Sequence, residues 1–171
     1  MPKKILVSIL VFGLAGLMIL SCAEGKNQEE AWDIKQQSFE RLAPDFTLPD
    51  IHGNAVSLHT LRGKVVLILF TTTWCPYCIK DIPNLKKIHA QYSDKDFELL
   101  AVYIQESQRK ASSFAAKHSL PYTLLLDSTG QVARAYGVVG VPTKVLIGKD
   151  GKIYCRACRT LDIMLKELLG S

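Results

Sequence analysis

An apolar run that ends in two cysteines two residues apart limits this chain to few architectures. Residues 65–78 read Val-Val-Leu-Ile-Leu-Phe-Thr-Thr-Thr-Trp-Cys-Pro-Tyr-Cys. The apolar stretch suits a strand covered on both faces. The Cys-Pro step suits a helix start, because proline is pre-organised for the first helical position and has no N–H to lose there. Cys75 is then the N-cap. Its sulfur faces the unpaired N–H groups of the first turn and the positive end of the helix dipole, and both favour thiolate over thiol. Since the thiolate is the attacking species, Cys75 is the nucleophile candidate and Cys78 the partner that resolves a mixed disulfide.

Ahead of this block, Lys3 and Lys4 precede a largely apolar stretch from Ile5 to Leu20, followed by Ser21-Cys22 and polar residues 23–30. Those 16 residues fall short of the roughly 20 of a spanning helix and have the charged start and apolar middle of a signal peptide. The Ile19-Leu20-Ser21-Cys22 end resembles a bacterial lipoprotein signal. That resemblance implies lipidation of Cys22 and a membrane-anchored domain in the bacterial cell envelope, outside the cytoplasm. Cleavage near Ala23 and an uncleaved anchor are the alternatives. Residues 1–21 are therefore read as a leader, 22–42 as a tether in which Trp32, Phe39 and Leu42 are free to pack, and 43–171 as one folded domain. The formal charge of +5 falls to +3 if the leader and its two lysines are removed. No cluster of Lys and Arg interleaves with aromatics, which excludes nucleic acid as a partner.

Within the domain, short extended pieces flank the turn signal His52-Gly53-Asn54, and Ile79, Ile82, Leu85 and Ile88 recur at helical spacing, with Pro83 inside that helix. Strands at 97–104, 122–126, 143–147 and 152–155 alternate with helical patterns at 107–118, 131–136 and 161–169, which predicts an α/β domain with a mixed sheet. The five cysteines divide into Cys22, the pair Cys75/Cys78 and the pair Cys155/Cys158. An exported chain meets an oxidising compartment, so disulfide chemistry is expected of both pairs. Residues three apart on a strand point to opposite faces, so a Cys155–Cys158 bridge requires the strand to end between them. His52, His59, His89 and His118 are scattered, none at the Cys/His spacing of a zinc site. Neither a metal nor a cofactor is expected.

Three motifs together resemble the thioredoxin-like superfamily, in its TlpA/ResA-like branch of membrane-tethered thiol–disulfide oxidoreductases. They are Trp74-Cys75-Pro76-Tyr77-Cys78 after the buried strand with Pro83 beyond it, Gly137-Val138-Val139-Gly140-Val141-Pro142-Thr143, and Ala43-Pro44-Asp45-Phe46 through Gly63-Lys64-Val65-Val66. The resemblance covers about residues 43–169. It implies a thioredoxin-like fold, a central mixed β-sheet flanked by helices, with an N-terminal β-hairpin extension. It also implies a redox-active Cys75–Cys78 disulfide, a cis peptide bond before Pro142, and a loop beside the dithiol whose backbone pairs with an extended substrate chain. Trp74 belongs to the site on the same ground. Protein thiols and disulfides are then the substrates, served by an upstream electron donor, and the enzyme is expected to act as a monomer and as a reductant.

Three departures from the pattern matter. Thioredoxins hold a buried aspartate six residues before the first cysteine, where this chain has Leu69. Asp81, one helical turn after Cys78 and sharing its face, resembles a glutamate of the branch and is the candidate proton acceptor for Cys78, the alternative being a solvated aspartate that favours the helix start. The intervening Pro76-Tyr77 resembles glutaredoxins and tunes redox poise, which on related sites spans about −270 to −120 mV. Cys155/Cys158 is absent from the family pattern, and either a structural disulfide, free thiols or a second redox couple fits it.

Two other functions compete. The Ala-Pro-Asp-Phe and Gly-Lys-Val-Val blocks also occur in peroxiredoxins, which points to peroxide reduction and antioxidant activity. Thr72 matches a peroxiredoxin position three before the nucleophile, whereas Ile68 stands where a proline is needed. The four domain cysteines also suit a non-enzymatic copper or zinc module, although no histidine or methionine cluster accompanies them.

Overall fold

Every residue of Val65–Thr71 is buried, because this strand (β3) is the middle of a five-stranded sheet with both faces covered. The computed structural model describes residues 42–158 and 160–170, so the leader, Cys22, Trp32, Phe39 and all of the tether except Leu42 lie outside the described residues. The sheet order is β5-β4-β3-β6-β7, with β4 at Phe97–Ile104, β5 at Thr123–Asp127, β6 at Thr143–Ile147 and β7 at Ile153–Arg156. β3, β4 and β5 run parallel, while β6 and β7 add antiparallel, so the sheet is mixed. A separate hairpin of β1 (Thr47–Pro49) and β2 (Ala55–Ser57) precedes it. Its turn is held by Asp50, whose Oδ1 accepts from the amides of His52 and Asn54 at 2.7 and 2.8 Å.

Alternation along β3 sends successive side chains to opposite faces. Val65, Leu67 and Leu69 meet α1 (Pro76–Tyr92), α2 (Gln108–His118) and α4 (Leu161–Leu169) through Leu85, Ile88, Ala111, Ala115, Leu161 and Leu165. Val66, Ile68 and Phe70 meet the hairpin and α3 (Gln131–Ala135) through Phe46, Leu48, Ala133 and Tyr136. Two apolar layers thus clamp one strand. That fixes where β3 ends, and with it where Cys75 begins the next helix. Among the described residues no helix is long and apolar enough to cross a membrane.

Candidate active site

Cys75 is the N-cap of α1, and Pro76 takes the first helical position. The amide of Cys78 donates to Cys75 Sγ at 3.2 Å, so the sulfur does the capping that an oxygen does in most helices. An N–H aimed at that sulfur stabilises negative charge on it, and the dipole of the 17-residue helix adds to the effect. Cys75 and Cys78 are joined as a disulfide with Cα atoms 5.3 Å apart. Both residues are nearly covered, at 4% and 3% exposure, while Trp74 and Tyr77 beside them are 67% and 75% exposed. The dithiol sits low within an apolar rim.

The Val141–Pro142 peptide bond is cis. The loop it belongs to packs directly on the dithiol: the Val141 carbonyl oxygen lies 3.7 Å from Cys75 Sγ, an acceptor for the thiol once the pair is reduced. Val139, in the same loop, is wholly exposed to solvent.

Asp81 lies one turn beyond Cys78, and its closest partner is a lysine. Lys144 Nζ stands 2.6 Å from Asp81 Oδ2, a charge contact that lacks the angles of a hydrogen bond, and both side chains are about four-fifths buried. Oδ1 accepts from Asn84 Nδ2 at 3.4 Å. Lys144 reaches this place because β6 pairs it with Leu69 of β3, and residues opposite each other in an antiparallel pair share a face. Leu69 thus has a lysine alongside it, and Asp81 comes to that lysine from the helix. Asp81 also acts on Tyr122. Burial first, and then the negative charge of Asp81, raise that phenol to about 12.

Glu106 was not among the residues expected at the site. It is 6% exposed just after β4, and its Oε1 accepts from the Thr73 amide at 3.0 Å and the Thr73 hydroxyl at 2.9 Å. Lys110, one turn into α2, reaches the same oxygen at 3.2 Å. Thr73, two residues before Cys75, is thereby tied to the segment that follows β4. The second cysteine pair is also closed: Cys155 and Cys158 form a disulfide with Cα atoms 5.6 Å apart, and β7 ends at Arg156 between them. Among the described residues no group of three or more His, Cys, Asp or Glu side chains converges as a metal site would require.

A helix-capping disulfide after a central strand, with the carbonyl of the residue before a cis-proline against its sulfur, is built for thiol–disulfide exchange, and the class is that of the thioredoxin-fold oxidoreductases. Comparison with known proteins narrows the class. The model of the AhpC/TSA family matches residues 40–156. The thiol-disulfide oxidoreductase ResA of Bacillus cereus is 32% identical over 146 residues, 84% of each chain. ResA of Geobacillus thermodenitrificans is 37% identical over 111 residues, 65% of this chain and 64% of its own. The solved thioredoxin domain of a thiol-disulfide oxidoreductase from Bacteroides vulgatus superposes with a TM-score of 0.70 at 27% identity, covering 77% of this chain and 98% of that one. This chain belongs to the AhpC/TSA family and, within it, to the ResA-like thiol–disulfide oxidoreductases.

Proposed function

We propose that this enzyme reduces disulfides of exported proteins in the cell envelope, held there by its N-terminal segment, with Cys75 as the attacking group. The observation that carries the reading is the capped sulfur of Cys75, which faces both the amide of Cys78 and the carbonyl of the cis-proline loop. In the reduced enzyme the Cys75 thiolate attacks a substrate sulfur, forming a mixed disulfide and releasing the substrate's other sulfur as a thiolate. Cys78 then attacks Cys75, closes the disulfide seen here and frees the second substrate thiol. Asp81 takes the proton that Cys78 gives up, with Lys144 holding the carboxylate in place. An upstream dithiol donor returns two electrons to the pair.

The substrate enters as an extended chain. Pro142 keeps the Val141 backbone turned toward the sulfur, and Trp74, Tyr77 and Val139 offer apolar contact on either side of it. The wide exposure of these three residues supports this assignment, since an exposed apolar rim around a buried reactive group marks a docking surface. The envelope location rests on the lipoprotein-like leader and Cys22.

The test is reduction of a protein disulfide, such as that of insulin, with a dithiol as electron source and hydrogen peroxide as a competing substrate. The wild type turns over insulin faster than peroxide, and Cys75→Ser brings insulin reduction down to the rate of the dithiol alone, because the attacking sulfur is gone. A Cys75→Ser enzyme that keeps most of its reductase rate overturns the assignment. Cys78→Ser arrests the reaction at the Cys75 mixed disulfide and identifies the client.

A further inference from the structure

The segment Val141–Lys144 lies between two cysteine pairs, each of which addresses a main-chain carbonyl of it. Cys75 Sγ is 3.7 Å from the Val141 oxygen, and Cys158 Sγ is 3.8 Å from the Lys144 oxygen. The ring closed by the second pair holds the loop at both ends. Within it, Arg156 donates to the Tyr136 carbonyl at 2.7 Å, just before the loop, and the Ala157 amide donates to the Lys144 carbonyl at 2.8 Å, just after it. Ala157 has a left-handed φ of 51°, unusual for a residue with a Cβ, so the ring holds the chain in a conformation it would not choose alone.

As a brace this disulfide is poorly placed. It joins residues three apart on one connection, and the stabilisation a crosslink provides through the unfolded chain grows with the length of the loop it closes. As an exchange site it is well placed. Both cysteines are partly buried against the core, but of the two only Cys158 lines an open groove of about 320 Å³, with Asn84, Lys144, Thr160 and Asp162. Once reduced, the Cys158 thiol already has an acceptor in the Lys144 carbonyl.

We propose that Cys155–Cys158 is a second exchangeable disulfide, opened by an external dithiol at Cys158, whose state sets how firmly the cis-proline loop is held beside Cys75. A thiolate of the donor attacks Cys158 Sγ from the groove, and Cys155 leaves as thiolate and takes a proton. The donor's second thiol then attacks its own sulfur in the mixed disulfide, and Cys158 is released and protonated. The donor loses two electrons and two protons and becomes a disulfide. The pair gains both. Reoxidation by a disulfide of the same class runs the sequence backwards.

The loop's part in docking rests on the function proposed above, but the exchange does not, and the two pairs can be read separately in the unaltered protein. Cleavage after lysine puts Cys75 and Cys78 on the peptide 65–80, and Cys155 and Cys158 on 153–166. Folded protein is equilibrated in dithiothreitol buffers of graded ratio, its free thiols are alkylated, and each peptide is weighed. The expected result is that 153–166 passes from no label to two labels within the native state, whatever 65–80 does. A second pair that stays closed until the protein is denatured, or that is never found closed in oxidising buffer, overturns the proposal. Hydrogen exchange reads the loop: amides over 137–143 exchange faster in Cys155→Ser/Cys158→Ser than in the wild type. Unchanged exchange there refutes the coupling.

Discussion

Glu106 carries more of the active-site loop than its place at the end of a strand implies. One oxygen receives both donors of Thr73 and the ammonium of Lys110, while the other, buried Oε2, has no hydrogen-bond partner. Glu106→Ala leaves the Thr73 amide and hydroxyl without an acceptor; a fully buried unsatisfied donor costs about 1–3 kcal/mol, and the half-buried Thr73 less. The expected loss of about 1–2 kcal/mol is read from the denaturant midpoint at constant slope. Glu106→Gln keeps an oxygen for Thr73 and should lose less. Equal stability of the alanine variant and the wild type sinks this account. Nothing local in the sequence reveals the contact. A glutamate after an apolar strand reads as the start of a solvated loop, and it is buried only because β3 and β4 are parallel neighbours, Thr71 opposite Tyr103, whose ends open on the same edge. Cys75 was legible for the opposite reason. Its cap, its proline and its strand are consecutive, so the sulfur's surroundings follow from adjacent residues.

At the scale of elements, the site is made where β6 delivers a lysine under α1. The helical spacing of Cys78 and Asp81 is visible in the sequence. The pairing of Lys144 with Leu69 is not, because strand register is decided by the whole sheet. A carboxylate expected to face a thiol is found against an ammonium. The place of Asp81 on α1 has a measurable consequence in Tyr122, since its charge adds to burial in raising that phenol. Asp81→Asn removes the charge and leaves burial, so the Tyr122 ionisation shifts down from about 12. The difference in phenolate absorbance between each background and its Tyr122→Phe derivative isolates that one group. An unmoved titration means the carboxylate and the phenol are not neighbours in solution.

Across the whole molecule, the two layers that position β3 also bury phenols, Tyr103 and Tyr122 on the α1 side and Tyr136 on the hairpin side. Burial is the first cause of a raised pKa in all three. Tyr136 is further fixed by its hydroxyl, which donates to the Pro44 carbonyl at 2.8 Å and ties the start of the domain to α3. The sign of the pH effect follows from proton counts. An unfolded chain releases its phenolic protons near 10, while the folded one retains that of Tyr122 to about 12, so above 10 the native state binds more protons than the unfolded state. Stability is therefore complete below 10 and falls as pH rises toward 12, with Tyr103 and Tyr136 extending the fall beyond it. Denaturant midpoints taken along that range test the claim, and Tyr122→Phe, which has no proton to lose, descends less steeply than the wild type. Parallel curves for the two proteins place Tyr122 outside the core. The shallower descent makes part of the loss of structure at high pH a property of the α1-side face of the sheet, separate from the redox state of either cysteine pair.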